Sequence, residues 1–156
     1  MTPDTQCLPA KRLATFGFLT NLVWEFAQCP ILYDMAGWSF WKGTVYMSAA
    51  IAGDVLIVLG VVATSQLVLG PSVGKLIGIR GWATTVMLGF IAGVVLEWLA
   101  RILDLWRYSA SMPTISFAGE DVGLAPLIQI AILPAFSLYL AVRFRSANDT
   151  PSPPQT

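Results

Sequence analysis

The stretch "NLVWEFAQCP", Asn21–Pro30, decides how this chain is read. It lies inside a long apolar run, yet it carries Asn21, Glu25 and Gln28 at i, i+4 and i+7. That spacing puts the three on one face of a helix. A spanning helix needs about 20 mostly apolar residues, and residues 13–32 supply them around this polar face. The choice is between a soluble amphipathic helix and a membrane helix with a polar site, and the rest of the sequence decides it.

Of the 156 residues, 56% are hydrophobic and 12% charged, against about 25% charged in an ordinary soluble domain. So few charges cannot cover a soluble surface, whereas a bilayer requires no such cover. The length corresponds to one domain. Net charge is zero, so no basic patch for nucleic acid is expected. Histidine is absent, which removes the commonest metal ligand and general base. No metal site and no cofactor is expected. Cys7 and Cys29 form no C-x-x-C pair, so a thiol relay is not expected. Gln28 stands where a lipoprotein signal needs a small residue before Cys29, and no lipid anchor is read there.

Three more apolar stretches follow, at 44–69, 82–103 and 124–142. The expected fold is therefore all-α: four transmembrane helices in an antiparallel bundle. The expected division is an N-terminal segment 1–12, a transmembrane domain 13–142, and a disordered proline-rich tail 143–156 that includes "SANDTPSPPQT". Lys11 and Arg12 precede the first span, which lacks an A-x-A-like cleavage site and is kept as a helix rather than a signal peptide. Lys75 and Arg80 lie between the second and third spans, and Arg143 and Arg145 follow the fourth. The other two loops hold Lys42 and Arg107 alongside Asp34, Asp104, Glu120 and Asp121. The positive-inside rule then places both termini in the cytoplasm, with Cys7 inside and Cys29 near the outer face. The expected location is a bacterial inner membrane.

This orientation brings Asn21, Glu25, Gln28, Asp54, Glu97, Arg101 and Gln129 from four helices to similar depths. A charge at the centre of a span costs roughly 2.5–3.5 kcal/mol on insertion scales, and such residues usually pair or line a wet cavity. A polar intramembrane site facing outward is expected from these seven. Glu97 and Arg101, at i and i+4, suit a helical ion pair, and Arg101 pairing with Glu25 is the alternative. Glu25 and Asp54 each have two readings: a hydrogen bond that joins helices, or a carboxylate that exchanges a proton or binds a cation. Gly53, with Ala49 and Ala50 one turn back, suggests close helix contact at Asp54.

Gly89-x-x-x-Gly93 is a close-packing motif, read as packing within the monomer. Pro134 is expected to kink the fourth span. Pro126 suits its first turn, and Asp121 its N-cap. "PSVGKLIGIRG", 71–81, reads as a connector. "WRYSASMPTISFAGEDVG", 106–123, exceeds what a helix connection needs, and its Trp106, Tyr108, Met112, Ile115 and Phe117 are expected to pack on the bundle. Tyr33, Trp38, Trp41, Tyr46, Trp106 and Tyr108 form either an interfacial belt or an aromatic wall over the site. The Trp24-Glu25 and Glu97-Trp98 pairs hint at a duplication, but no register beyond them matches.

"NLVWEFAQCPILYD", "GDVLIVLG", "EWLARILDLWRYSASMP" and "VGLAPLIQIAILP" together resemble a family of small bacterial four-helix integral membrane proteins with no assigned activity. The resemblance implies a fold and carries no catalytic residue. Small multidrug-resistance transporters are similar in architecture alone, with a membrane glutamate in the first helix. Sterol-isomerase-like proteins also place acids beside tryptophans, but with a histidine that this chain lacks. Three functions are open at this level. One is a proton- or cation-coupled transporter or binding protein for a small molecule. Another is a membrane enzyme acting on a lipid or isoprenoid by acid catalysis. The third is an accessory subunit. The expected partners are membrane lipids and a small-molecule or lipid ligand, and a homo-oligomer is compatible with the sequence.

Overall fold

The computed structural model describes residues 10–144. The tail 143–156 from Arg145 onward, Cys7 and most of the segment 1–12 lie outside the described residues. The order is α1 (Ala10–Leu32), α2 (Phe40–Leu69), α3 (Val73–Ile77), α4 (Ile79–Ile102), β1 (Thr114–Phe117), β2 (Glu120–Gly123) and α5 (Leu124–Arg143). The four long helices coincide with the four expected stretches, and the differences lie at their ends. α2 begins at Phe40 because the Ser39 hydroxyl accepts from the Lys42 backbone N–H at 3.3 Å, a side-chain cap. α1 and α4 each begin ahead of their apolar runs, since basic residues do not end a helix.

Three helices, Phe40–Leu69, Ile79–Ile102 and Leu124–Arg143, are long and apolar enough to cross a membrane. α1, expected as the first of four, is not among them. Lys11, Arg12, Asn21, Glu25 and Gln28 all fall within it and lower its hydropathy.

The ends of the bundle are tied. At one end the core joins Leu13, Val58, Val62, Leu76, Leu138 and Ala141, and Arg12 donates to the Phe144 carbonyl at 3.3 Å. The expected connector holds α3, whose fully buried Leu76 plugs this end. At the other end α1 stops where the chain after α4 takes its last carbonyls. The Ser109 N–H donates to Leu32 at 2.9 Å and its hydroxyl to Ile31 at 2.7 Å. These bonds satisfy acceptors a helix end otherwise leaves open. Within the bundle Thr20 and Ser137 share a hydrogen bond of 2.9 Å, and Thr85 donates to Ser65 at 3.1 Å.

The fold is mostly helical, as expected, and the loop 106–123 adds one short two-stranded hairpin to it. β1 and β2 pair antiparallel, with Phe117 opposite Glu120. Ala118 and Gly119 both have positive φ, 50° and 86°, as the tightest hairpin turns require. Met112 is buried as expected, but Ile115 and Phe117 are exposed at the hairpin edge. Asp121 does not cap α5. It lies in β2 and accepts from the Ser116 hydroxyl at 2.7 Å, while Gly123 occupies the cap position. Pro134 lies buried within a continuous α5.

Gly89 and Gly93 do pack within the monomer, against α5. A Cβ on Gly89 would stand 2.3 Å from the Ile130 carbonyl oxygen, and one on Gly93 3.0 Å from Leu127 Cδ1. Gly89→Ala is therefore expected to force α4 from α5 and to lower stability by about 1–3 kcal/mol. Gly60→Ala, whose Cβ would meet nothing within 4 Å, is the control and is expected to leave stability unchanged or slightly higher. Thermal unfolding of both variants in detergent reads the difference.

Candidate functional site

Gln129 on α5 is the centre of the polar cluster. Its Nε2 lies 3.0 Å from Asn21 Oδ1, 2.8 Å from Glu25 Oε1 and 3.0 Å from Asp54 Oδ2. An amide nitrogen carries two hydrogens, so three acceptors from two other helices compete for them. Gln28 Nε2 donates to Glu25 Oε1 at 3.0 Å and to Gln129 Oε1 at 2.7 Å. Asn21 Nδ2 returns to the Gly17 carbonyl at 2.8 Å. Cys29 Sγ donates to Glu25 Oε2 at 2.8 Å. Asn21, Glu25, Gln28 and Gln129 are all buried, and no Lys or Arg reaches the cluster among the described residues. The Glu25 and Asp54 carboxyls thus share one neutral donor and no cation.

Glu97 enters from α4, 2% exposed. Its Oε2 accepts from the Tyr108 hydroxyl, and that hydroxyl in turn accepts the Gly123 N–H at 3.0 Å. The carboxylate therefore holds the hairpin's exit onto α5. Burial, and next the bond to Glu97, push the Tyr108 phenol above its ordinary range. Tyr108→Phe would leave both the Glu97 oxygen and the Gly123 N–H without a partner, at about 1–3 kcal/mol. Thermal unfolding should show that loss, and hydrogen exchange should show it concentrated at Gly123 and Leu124.

Arg101 does not join the site, and the expected Glu97–Arg101 ion pair is not formed. Tyr108 engages both residues. Its hydroxyl donates to Glu97, while its ring lies 5.2 Å from the Arg101 guanidinium carbon. The alternative partner, Glu25, does not pair with Arg101 either. Arg101 lines a separate polar cleft with Asp104, Tyr108 and Asp121, and its Nε is buried without a partner. The ion pair on this side is Asp104–Arg107 at 3.1 Å, and its hydrogen bonds hold the exposed Asp104 carboxyl below the usual range.

Glu25, Asp54, Glu97 and Gln129 line one cavity of about 570 Å³, within the range of small-molecule sites. The rest of its wall is mostly apolar, with Tyr33, Tyr46 and Trp106 among its aromatic residues. Gly53, Ala49 and Ala50 were expected to bring helices together. Instead they line this space, and a Cβ on Gly53 would meet nothing within 4 Å. Tyr33 stacks edge-on against Trp106 and Tyr108, at 6.4 and 5.9 Å between centroids. The aromatic residues at this end are therefore partly a wall of the cavity. Trp38 instead stacks on Tyr46 at 5.1 Å and lies under the Lys42 ammonium. The indole N–H groups of Trp24 and Trp98 are buried without a hydrogen-bond partner, so neither reaches its neighbouring acid.

Six of the seven expected residues are thus brought to one place, and Arg101 is not. Cys29 and Tyr108 belong to the site and were missed. Cys29 stands at i+4 from Glu25, a spacing that could have found it. Tyr108 gave no comparable signal, because its position depends on how the loop folds back. Among the described residues no group of three His, Cys, Asp or Glu side chains is arranged to hold a metal ion. The chain matches no protein-family model, no curated protein and no solved structure.

Proposed function

We propose that this chain is a four-span protein of a bacterial inner membrane, with both termini cytoplasmic. In this reading its buried carboxylates bind and release a proton or cation together with a small molecule, as a coupled transporter or binding protein. The observation that carries the reading is the cavity lined by Glu25, Asp54 and Glu97 with no basic residue in its wall. A cluster that served packing alone would need no such space beside its carboxyls. α1 counts as the fourth span because its polar face is buried against α5, where Asn21, Glu25 and Gln28 all bond Gln129, so lipid would meet its apolar residues, among them Val23 and Phe26, both exposed. The apolar faces of α2 and α4, with Leu56 and Ile91 exposed, suit the same solvent. Lys11, Arg12, Lys75, Arg80 and Arg143 favour the cytoplasm for the end that holds Leu76.

Native mass spectrometry of the full chain released from lipid nanodiscs tests this. Wild type should retain a defined small molecule or lipid that Glu25→Gln loses. Bare protein in both samples would overturn the binding reading. Release of a chemically altered molecule would move the chain to the enzyme reading, with Glu25 or Asp54 as general acid.

A further inference from the structure

The cavity adjoins a groove on the apolar surface of the bundle. Ile57 of α2 and Leu96 of α4 line both. The groove, about 460 Å³, runs between the two helices past Gly60, Thr64, Ala92 and Val95. A Cβ on either Gly53 or Gly60 would meet nothing within 4 Å, so α2 leaves space beside both the cavity and the groove, with Ile57 and Leu96 between them. The groove faces the apolar flank that lipid would cover in the reading above, on which this inference rests.

The chemistry of the wall selects the ligand. Three carboxyls face a space that no Lys or Arg lines. Glu97, 2% exposed, accepts from Tyr108 and stands within reach of the Trp106 indole, so its carboxyl lies at the cavity wall beside an aromatic face. Tyr33, Tyr46 and Trp106 add ring faces, which attract cations. The remaining wall, including Leu99, Leu103 and Ile130, offers only apolar contact. An anion would find no cation here, and a neutral apolar molecule would bring no donor to the carboxyls. We propose that the site takes a protonated amine carrying an apolar body, and that this molecule enters sideways from the bilayer through the α2–α4 seam. The ammonium donates to the carboxyls at the inner end of the cavity while the apolar body lies against the cavity's own apolar wall at Leu99, Leu103 and Ile130, clear of the groove at Gly60.

The test uses the full chain in phosphatidylcholine nanodiscs and the heavy-atom quencher 4-(4-bromophenyl)butylamine, with the matching alcohol and carboxylic acid as controls. Trp106, the one of the six tryptophans that lines the cavity, reports its arrival as the part of the quenching that Trp106→Phe removes. The amine should quench saturably, while the alcohol and acid should show only the linear quenching of membrane partition. Asp54→Asn should weaken the amine at least tenfold. Gly60→Leu, which fills the open groove, should slow the approach to saturation severalfold without changing the plateau. Linear quenching alike for all three probes, or saturation by the acid, would overturn the ligand class. An unchanged rate in Gly60→Leu would overturn the lateral route. If the amine fails while nanodiscs still retain another molecule in a Glu25-dependent manner, the ligand class falls and the carboxylate site stands. If nothing is retained, both fall.

Discussion

Gln129→Leu is expected to be among the most destabilising single substitutions in the chain. Leucine branches one carbon earlier than glutamine and carries no polar atom, so the loss combines the missing amide with local repacking. The substitution removes the donor shared by Asn21, Glu25 and Asp54 and the acceptor of Gln28. Hydrogen bonds between membrane helices average roughly 0.6 kcal/mol, so the three bonds that Gln129 can make at once come to about 2 kcal/mol. The Glu25 and Asp54 carboxyls would then face each other with no shared donor between them, which raises the loss to about 3 kcal/mol or more. Native domains hold only about 5–15 kcal/mol in total. Unfolding in mixed micelles measures the difference. A change no larger than that of Tyr108→Phe would show that Gln129 is not the centre of the cluster.

Glu25→Gln is expected to separate fold from function. The amide keeps an oxygen that can accept from Gln28 and Gln129, as Glu25 Oε1 does. Its nitrogen replaces the oxygen that accepts from Cys29, and a sulfur is a weak enough partner that this exchange costs little. Stability should therefore stay within about 1 kcal/mol of wild type. The carboxyl's capacity to take and release a proton is gone, and ligand retention should be lost at every pH at which wild type retains the ligand. Glu25→Leu, in contrast, should lose stability as well. If Glu25→Gln destabilised as much as Gln129→Leu while ligand retention persisted, Glu25 would be a packing group alone.

The four long helices were legible as runs of about twenty mostly apolar residues, the length that crossing a bilayer requires, although only α2, α4 and α5 are apolar enough to cross one. The polar cluster was legible because its members are costly where they stand, and Asn21, Glu25 and Gln28 repeat at helical spacing. What failed depended on side-chain competition and turn geometry. Spacing alone made Glu97 and Arg101 partners, but Tyr108, eleven residues along from Glu97, holds both. The hairpin was hidden because Ala118, not the usual Asn or Asp, takes the first left-handed position of its turn. Gly53 and Gly89 illustrate the limit on reading small residues. Both are glycines in apolar helices, yet one opens a cavity and the other admits a neighbouring backbone, and only the relative placement of the helices distinguishes them.

The most direct measurement is the pH-dependent infrared difference spectrum of the full chain in lipid bilayers, followed at the stretch of the protonated carboxyl group. A proton-exchanging pair at Glu25 and Asp54 predicts a band that appears and disappears reversibly with pH while the protein stays folded. The band should be altered in both Glu25→Gln and Asp54→Asn. A spectrum with no reversible carboxyl band, or one identical in wild type and both variants, would contradict it and leave the cluster as an inert device for holding the helices together.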